Sequence, residues 1–260
     1  MTASPLARNN FKVVSVLIKF SDPENPNNKI STLIDKSSVL QFEYREGLLN
    51  QFISVTLQIV DTTSQLTDVL VGMEEIELVV QDEITNVKYE FTSGSSNGPL
   101  YVYQIHDKQV IDTGKVLVLE LCRKDALESA QQRVCKKYNS IPAADLVQDI
   151  LGDTLKTTKQ YVGNVSSSLN KLSFVPPMSR PYEVLVWCRN KYVAKDQKTT
   201  ASGGSYASAG YLFWETYNGY YFKSIDSIAG QEPTEFTYTT GSGLGAVSYT
   251  HLRAHETRRY

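Results

Sequence analysis

Cysteine, methionine, histidine and tryptophan are all scarce: three, three, three and two residues among 260. Three cysteines (Cys122, Cys135, Cys188) are too few for a disulfide scaffold, and their odd number points to free thiols and a reducing compartment. No CxxC pair occurs, so the four close ligands of a structural zinc site are missing. No apolar run approaches the roughly 18 residues that a membrane span needs, and the opening MTASPLARNNFKVVSVLIKF has no secretory layout. Neither sign of charge dominates, with 26 Lys and Arg against 28 Asp and Glu. His251, His255 and three arginines lie in the last fourteen residues, so the rest of the chain is mildly acidic. That balance excludes a sequence-specific nucleic-acid binder, which presents a basic face.

Catalytic patterns are equally thin. There is no GxSxG, and His106 is the one histidine outside the last fourteen residues. A histidine within a strand reads as structural. Glu74, Glu75 and Glu77 form an acidic group, but alternation puts Glu75 and Glu77 together on a solvated strand face. GSGLG at 241–245 lacks the GxGxxG spacing and no helical pattern follows it. His251 and His255 are four apart, but Leu252-Arg253 follows the first of them where a zinc-protease helix has glutamate. The sequence therefore predicts no catalytic, cofactor-binding or metal-binding residue, and no enzyme.

What is present is alternation. In Phe52–Val60, Ile53, Val55, Leu57 and Ile59 oppose Ser54, Thr56 and Gln58, the period-2 pattern of a half-buried strand. Similar patterns at Phe11–Phe20, Val39–Arg45, Glu75–Val80, Val87–Thr92, Leu100–His106 and Lys115–Leu121 make seven candidate strands before residue 121. Turn-rich stretches separate them, which predicts a sandwich or barrel. The pattern then changes. Helices are expected from Lys124 to about Arg133, after a Ser140 cap with Gly152 as its stop, and from Ser179–Pro181 onward. Their apolar stripes are Leu146, Val147, Ile150 and Leu151, then Val184, Leu185, Cys188 and Tyr192. Residues 195–210 read as a polar loop. A hairpin follows, with Asn218-Gly219 as its turn and Tyr217 opposite Tyr220. One face of it carries Leu212, Trp214, Tyr221 and Ile225; the other carries Tyr211, Phe213, Tyr217 and Phe222. Tyr211, Phe213, Trp214, Tyr220 and Phe222 are thus candidate core or interface aromatics, with a sugar-stacking platform as the rival use.

Several stretches, in order, resemble a known family: YREGLLNQFISVTLQIVDT, GPLYVYQIHDKQVIDTGKVLVLEL, QQRVCKKYNSIPAADLVQDIL, SRPYEVLVWCRNKYV and AGYLFWETYNGYYFKSID. The series is similar to the central baseplate hub protein of contractile-tailed bacteriophages (myovirus type), over roughly Phe11 to Ile228. The resemblance implies an α+β, mainly β protein. Residues 1–121 would form a tail-tube-like antiparallel β-barrel, and residues 122–240 a mixed α/β hub domain with an incomplete second barrel. It implies a homotrimer in the virion tail baseplate, assembled in the host cytoplasm. Its partners would be the central spike protein and the tail tube or tube-initiator proteins, with no cofactor. A spike-base protein of a secretion or contractile-injection system shares that architecture, and a carbohydrate-binding β-module is a further alternative. Residues 241–260 read as a linker and a non-native tail, because VSYTHLRAHETRRY resembles read-through of a sequencing adapter.

Overall fold

In the computed structural model, residues 11–21, 29–62, 66, 69–83, 86–111, 114–195, 198–199, 205–206, 210–229, 236–238 and 247–249 are described. The strands are β1 (Phe11–Ser21), β2 (Lys29–Ile34), β3 (Val39–Arg45), β4 (Ser54–Asp61), β5 (Glu75–Asp82), β6 (Lys88–Phe91), β7 (Leu100–Ile111) and β8 (Gly114–Arg123). All eight join one antiparallel sheet in the order β2-β1-β5-β7-β8-β4-β3, with β6 beside β5. The chain is mainly β with few helices, as expected. The seven strands expected by residue 121 are present, and Lys29–Ile34 adds one inside a stretch too polar to show alternation.

The two ends of this sheet, β2 and β3, are consecutive in the chain. Only Asp35 and a 3-10 turn, Lys36–Ser38, separate them, with the Asp35 carboxylate accepting the Ser37 N–H at 2.9 Å. The turn lies against both β1 and β4. Four residues cannot span a flat sheet of this width, at about 4.8 Å per strand, so the sheet curls. No ladder joins β2 to β3 among the described residues, so hydrogen bonding does not close it into a barrel.

Curling turns one sheet face onto itself. Val16, Ile18, Val55, Leu57, Ile59, Ile76, Leu78, Phe91, Leu119 and Leu121 are among the buried residues of that core. They occupy alternate positions, as the pleat requires. The opposite face carries polar pairs, such as Thr56 Oγ1 donating to Glu120 at 2.8 Å. At the end of β8 the alternation serves two cores: Leu121 belongs to the sheet interior, and Cys122 to a second cluster on the other side.

That second core is built from α1 (Lys124–Gln131), β9 (Tyr138–Ile141), α2 (Ala143–Val147), α3 (Pro181–Arg189) and the hairpin β13 (Tyr211–Thr216) and β14 (Gly219–Ser224). Between them β10 (Leu172–Phe174) pairs with β9, and the short β11 (Lys198–Thr199) pairs with β12 (Ser205–Tyr206). All four stripe residues on each of the two later expected helices are buried. Pro181 opens α3, and Glu183 accepts the Arg180 N–H at 3.0 Å, an arrangement that fixes the start of the helix.

The helix before it departs from expectation. Ser140 is not its cap: it lies in β9 with φ of 47° and gives its N–H to Ser173 Oγ of the adjoining β10. The helix starts at Ala143 after Pro142 and continues beyond Val147 as a π-turn, Gln148–Thr154. Gly152 is therefore not a stop. A Cβ there would meet the Tyr161 hydroxyl at 2.4 Å, so glycine permits a close approach inside the turn. Near the end of the chain, β15 (Phe236–Tyr238) pairs with β16 (Val247–Tyr249). The rest of 241–260 and most of the 195–210 loop lie outside the described residues.

Candidate functional site

The aromatic hairpin meets the large sheet at a buried cluster of charges. The expected face assignment holds along both strands, but the register differs. Thr216 pairs with Gly219, Glu215 with Tyr220, Trp214 with Tyr221 and Phe213 with Phe222. The turn is therefore Tyr217-Asn218, not Asn218-Gly219. Gly219 is instead the first residue of β14, at a position where a Cβ would collide with the Gln160 carbonyl oxygen. The Asn218 N–H is taken by Thr216 Oγ1 at 3.2 Å.

One hairpin face enters the second core. Tyr211, Phe213, Tyr220 and Phe222 are at most 1% exposed, and Trp214, on the other face, is 8% exposed. Tyr211 stacks on Phe222 with ring centroids 5.1 Å apart, and Tyr182 of α3 meets Phe213 edge-on at 5.3 Å. Trp214 and Tyr221 stack at 5.1 Å. Segment 160–166 covers the outer edge of β14: Tyr220 N–H donates to Gln160, Phe222 N–H to Asn164, and Ser166 N–H to Phe222. A sugar-stacking platform needs exposed ring faces, and these five candidates supply none.

On the same buried face sits Glu215, which is 0% exposed. Its Oε2 accepts the Ile53 N–H at 2.9 Å, just ahead of β4. Its Oε1 takes Lys159 Nζ at 2.9 Å and faces Arg123 Nε, from the end of β8, at 3.3 Å. Arg123 Nη2 reaches Asp125 of α1 at 3.3 Å. Asp125 Oδ2 also accepts from Thr157 at 2.6 Å and from the Tyr220 hydroxyl at 3.0 Å. Tyr182 and Tyr220 share a hydroxyl hydrogen bond of 2.8 Å.

The cluster holds two cations and two anions, which offsets part of the cost of burying each, although Arg123 Nε and Nη1 make no hydrogen bond. Burial, partly offset by Glu215, still pushes the Lys159 ammonium down to about 8. Burial first, and then Glu215, pushes Tyr182 and Tyr220 well above the ordinary phenol range. Such phenols stay protonated and act as hydrogen-bond donors. Nothing in the cluster pairs a nucleophile with a free base. What it does is join β8, α1, α3, the hairpin and the residue ahead of β4 through one set of ion pairs and hydrogen bonds.

The hairpin tip makes the second join. Tyr217 packs edge-on against Tyr89 at 5.0 Å and Phe91 at 5.5 Å on β6. Its hydroxyl accepts the Glu90 N–H at 2.9 Å, so it caps the free edge of β6. Its own N–H goes to Glu46 at 3.0 Å.

The sequence offered one sign of the charge cluster: Glu215 is in phase with Tyr211 and Phe213, a charge at an apolar position. Arg123, Asp125 and Lys159 have local surroundings that look like an ordinary strand end, helix start and loop. His106 lies exposed on β7. Glu75 and Glu77 both bind Lys19, at 2.8 and 2.7 Å, on the outer sheet face. Glu74 stands apart, buried, and takes the Val71 and Gly72 N–H groups. Among the described residues no group of His, Cys, Asp and Glu has a metal-holding arrangement, and no helix is long and apolar enough to cross a membrane.

No family model and no curated protein matches the chain. Among solved structures it is similar to the 43 kDa tail protein of prophage MuSo2 from Shewanella oneidensis, with 9% identity and a TM-score of 0.35 over 75% of this chain. It is also similar to the prophage tail protein gp18 from Listeria monocytogenes EGD-e, with 11% identity and a TM-score of 0.43 over 92% of this chain. The chain spans 54% of the length of the first and 68% of the second.

Proposed function

We propose that this chain is a structural component of a bacteriophage tail, the central hub of the baseplate. In this reading it is a homotrimer that adapts the sixfold tail tube to the threefold central spike. The ordered series of segments that resembles the hub family carries the proposal. Supporting it, the two segments with the strongest resemblance pack on one another: α3 lies in SRPYEVLVWCRNKYV, the hairpin in AGYLFWETYNGYYFKSID, and Tyr182 meets Phe213 and Tyr220 between them. The curled β1–β8 sheet is the candidate tube-like barrel, with Lys36–Ser38 as the corner between its two end strands. The cluster around Glu215 then holds that sheet rigidly to the second unit, as a load-transmitting adaptor requires. The reading assigns no catalytic residue.

Co-expression with a spike protein and a tube-initiator protein of a contractile tail tests the reading. A complex retaining the spike protein and three copies of this chain is the expected outcome. A chain that retains neither partner and stays monomeric at micromolar concentration would overturn it.

A further inference from the structure

A cavity of about 440 Å³ opens where α1 begins. Three parts of the chain wall it: the turn ahead of β7 at Asn97, the end of β8 and start of α1 at Arg123 and Lys124, and the segment after the π-turn at Lys156.

Donors gather there without acceptors. The Arg123 side chain is 4% exposed. Its Nη2 reaches Asp125, but Nε and Nη1 make no hydrogen bond, although Glu215 Oε1 lies 3.3 Å from Nε. A buried guanidinium N–H left without an acceptor is costly. Asn97 is also 4% exposed, and its carboxamide makes no hydrogen bond among the described residues. No side chain caps α1, so the N–H groups of its first turn add donors at the same place.

The carboxylates on the cavity wall are already engaged. Glu128 pairs with Lys124 at 3.1 Å, and Asp125 accepts from Arg123, Thr157 and Tyr220. Lys156 is exposed and has no ion pair among the described residues. Arg123, Lys124 and Lys156 thus face only Asp125 and Glu128, and the start of the helix adds about half a positive charge.

We propose that this cavity binds a small oxyanion, a phosphate or carboxylate group. Its oxygens would accept from Arg123, Asn97 and the first turn of α1, and Lys156 would pair with its charge. The site adjoins the cluster that joins the two cores, so its occupant should stabilise the fold by mass action. The inference stands on these donors and does not depend on the hub reading.

The probes are inorganic phosphate and acetate, each titrated into the isotope-labelled full chain against chloride of equal ionic strength. Nuclear magnetic resonance should show saturable shifts of the Arg123 Nε–H and of the Lys124 and Asp125 amides, with a rise in Tm. Saturation by phosphate alone would support the proposal with a phosphate group as the occupant, and saturation by acetate alone would support it with a protein carboxylate. Arg123→Lys keeps the charge but removes the guanidinium donors, and should weaken binding about tenfold. Because Arg123 also serves the buried cluster, Lys156→Asn is the second variant. Asparagine tolerates the positive φ of 51° at that exposed position, and its loss of charge should weaken binding about threefold. Shifts that chloride reproduces, no saturation with either probe, or unchanged affinity in Lys156→Asn would overturn the proposal.

Discussion

Glu215 Oε1 lies 2.9 Å from Lys159 Nζ, and the two side chains are 0% and 2% exposed. Glu215 belongs to the hairpin and also holds the Ile53 N–H ahead of β4, so this pair lies where the two cores meet. Removing one member leaves its partner charged and buried. Glu215→Gln and Lys159→Met should each destabilise the protein by about 3–5 kcal/mol. The double variant should cost less than the sum, with a coupling of about 1 kcal/mol or more. Urea unfolding of the four proteins measures this, and strictly additive losses would disprove the coupling.

The same lysine gives a pH signature. Its ammonium falls from 10.5 to about 8 on folding, so between those values the unfolded chain binds more protons than the folded one. Stability owed to this group therefore rises with pH across that window. Cys122 and Cys188 oppose it above about pH 9, because burial raises their thiols to about 12. Tyr182 and Tyr220, raised further, oppose it above about pH 10. Unfolding of wild type and Lys159→Met at pH 7.5 to 10 separates the terms. Wild type should gain on the variant as pH rises, and a constant difference would refute the assignment.

On the outer face, the hydrogen bond from Lys19, followed by that from Ser93, lowers the Glu77 carboxyl from 4.5 to about 2. The stabilisation is complete above pH 4.5 and is lost as pH falls toward 2. Partial solvent screening reduces it to on the order of 1 kcal/mol. Glu77→Gln should flatten the acid limb of the stability profile by that amount. An unchanged limb would show that the pair contributes nothing.

All three thiols are free; Cys122 and Cys188 are buried and Cys135 is exposed. Titration of the native protein with a thiol-specific disulfide reagent should find one fast group, and three after denaturation without reductant. Finding fewer than three would reveal a disulfide.

The contact at the hairpin tip is also measurable. Tyr217→Phe keeps the ring between Tyr89 and Phe91 but removes the acceptor for the Glu90 N–H. The expected cost is about 0.5–1.5 kcal/mol, with faster exchange of the Glu90 amide. Unchanged exchange would mean the hydroxyl does not cap the β6 edge.

The elements were legible in the sequence wherever one face met one core. Ile53 through Ile59 alternate because only one face of β4 enters the apolar core, and the α3 stripe repeats because one side of that helix is covered. Contacts between distant segments left weaker marks. At the hairpin, Gly219 lies where the Gln160 carbonyl leaves no room for a Cβ, a contact between distant segments that no local turn preference encodes. Ser140 looked like a cap because its identity suits one, yet pairing of β9 with β10 claimed it. Arg123 and Lys159 could be recognised as buried only once the hairpin brought Glu215 onto them.

Cryo-electron microscopy of tails assembled with this chain tests the central claim most directly. The account requires three copies in one ring on the tail axis, between tube and spike, with the β1–β8 sheet toward the tube. Density for this chain at the periphery of the baseplate, or its absence from purified tails, would contradict it.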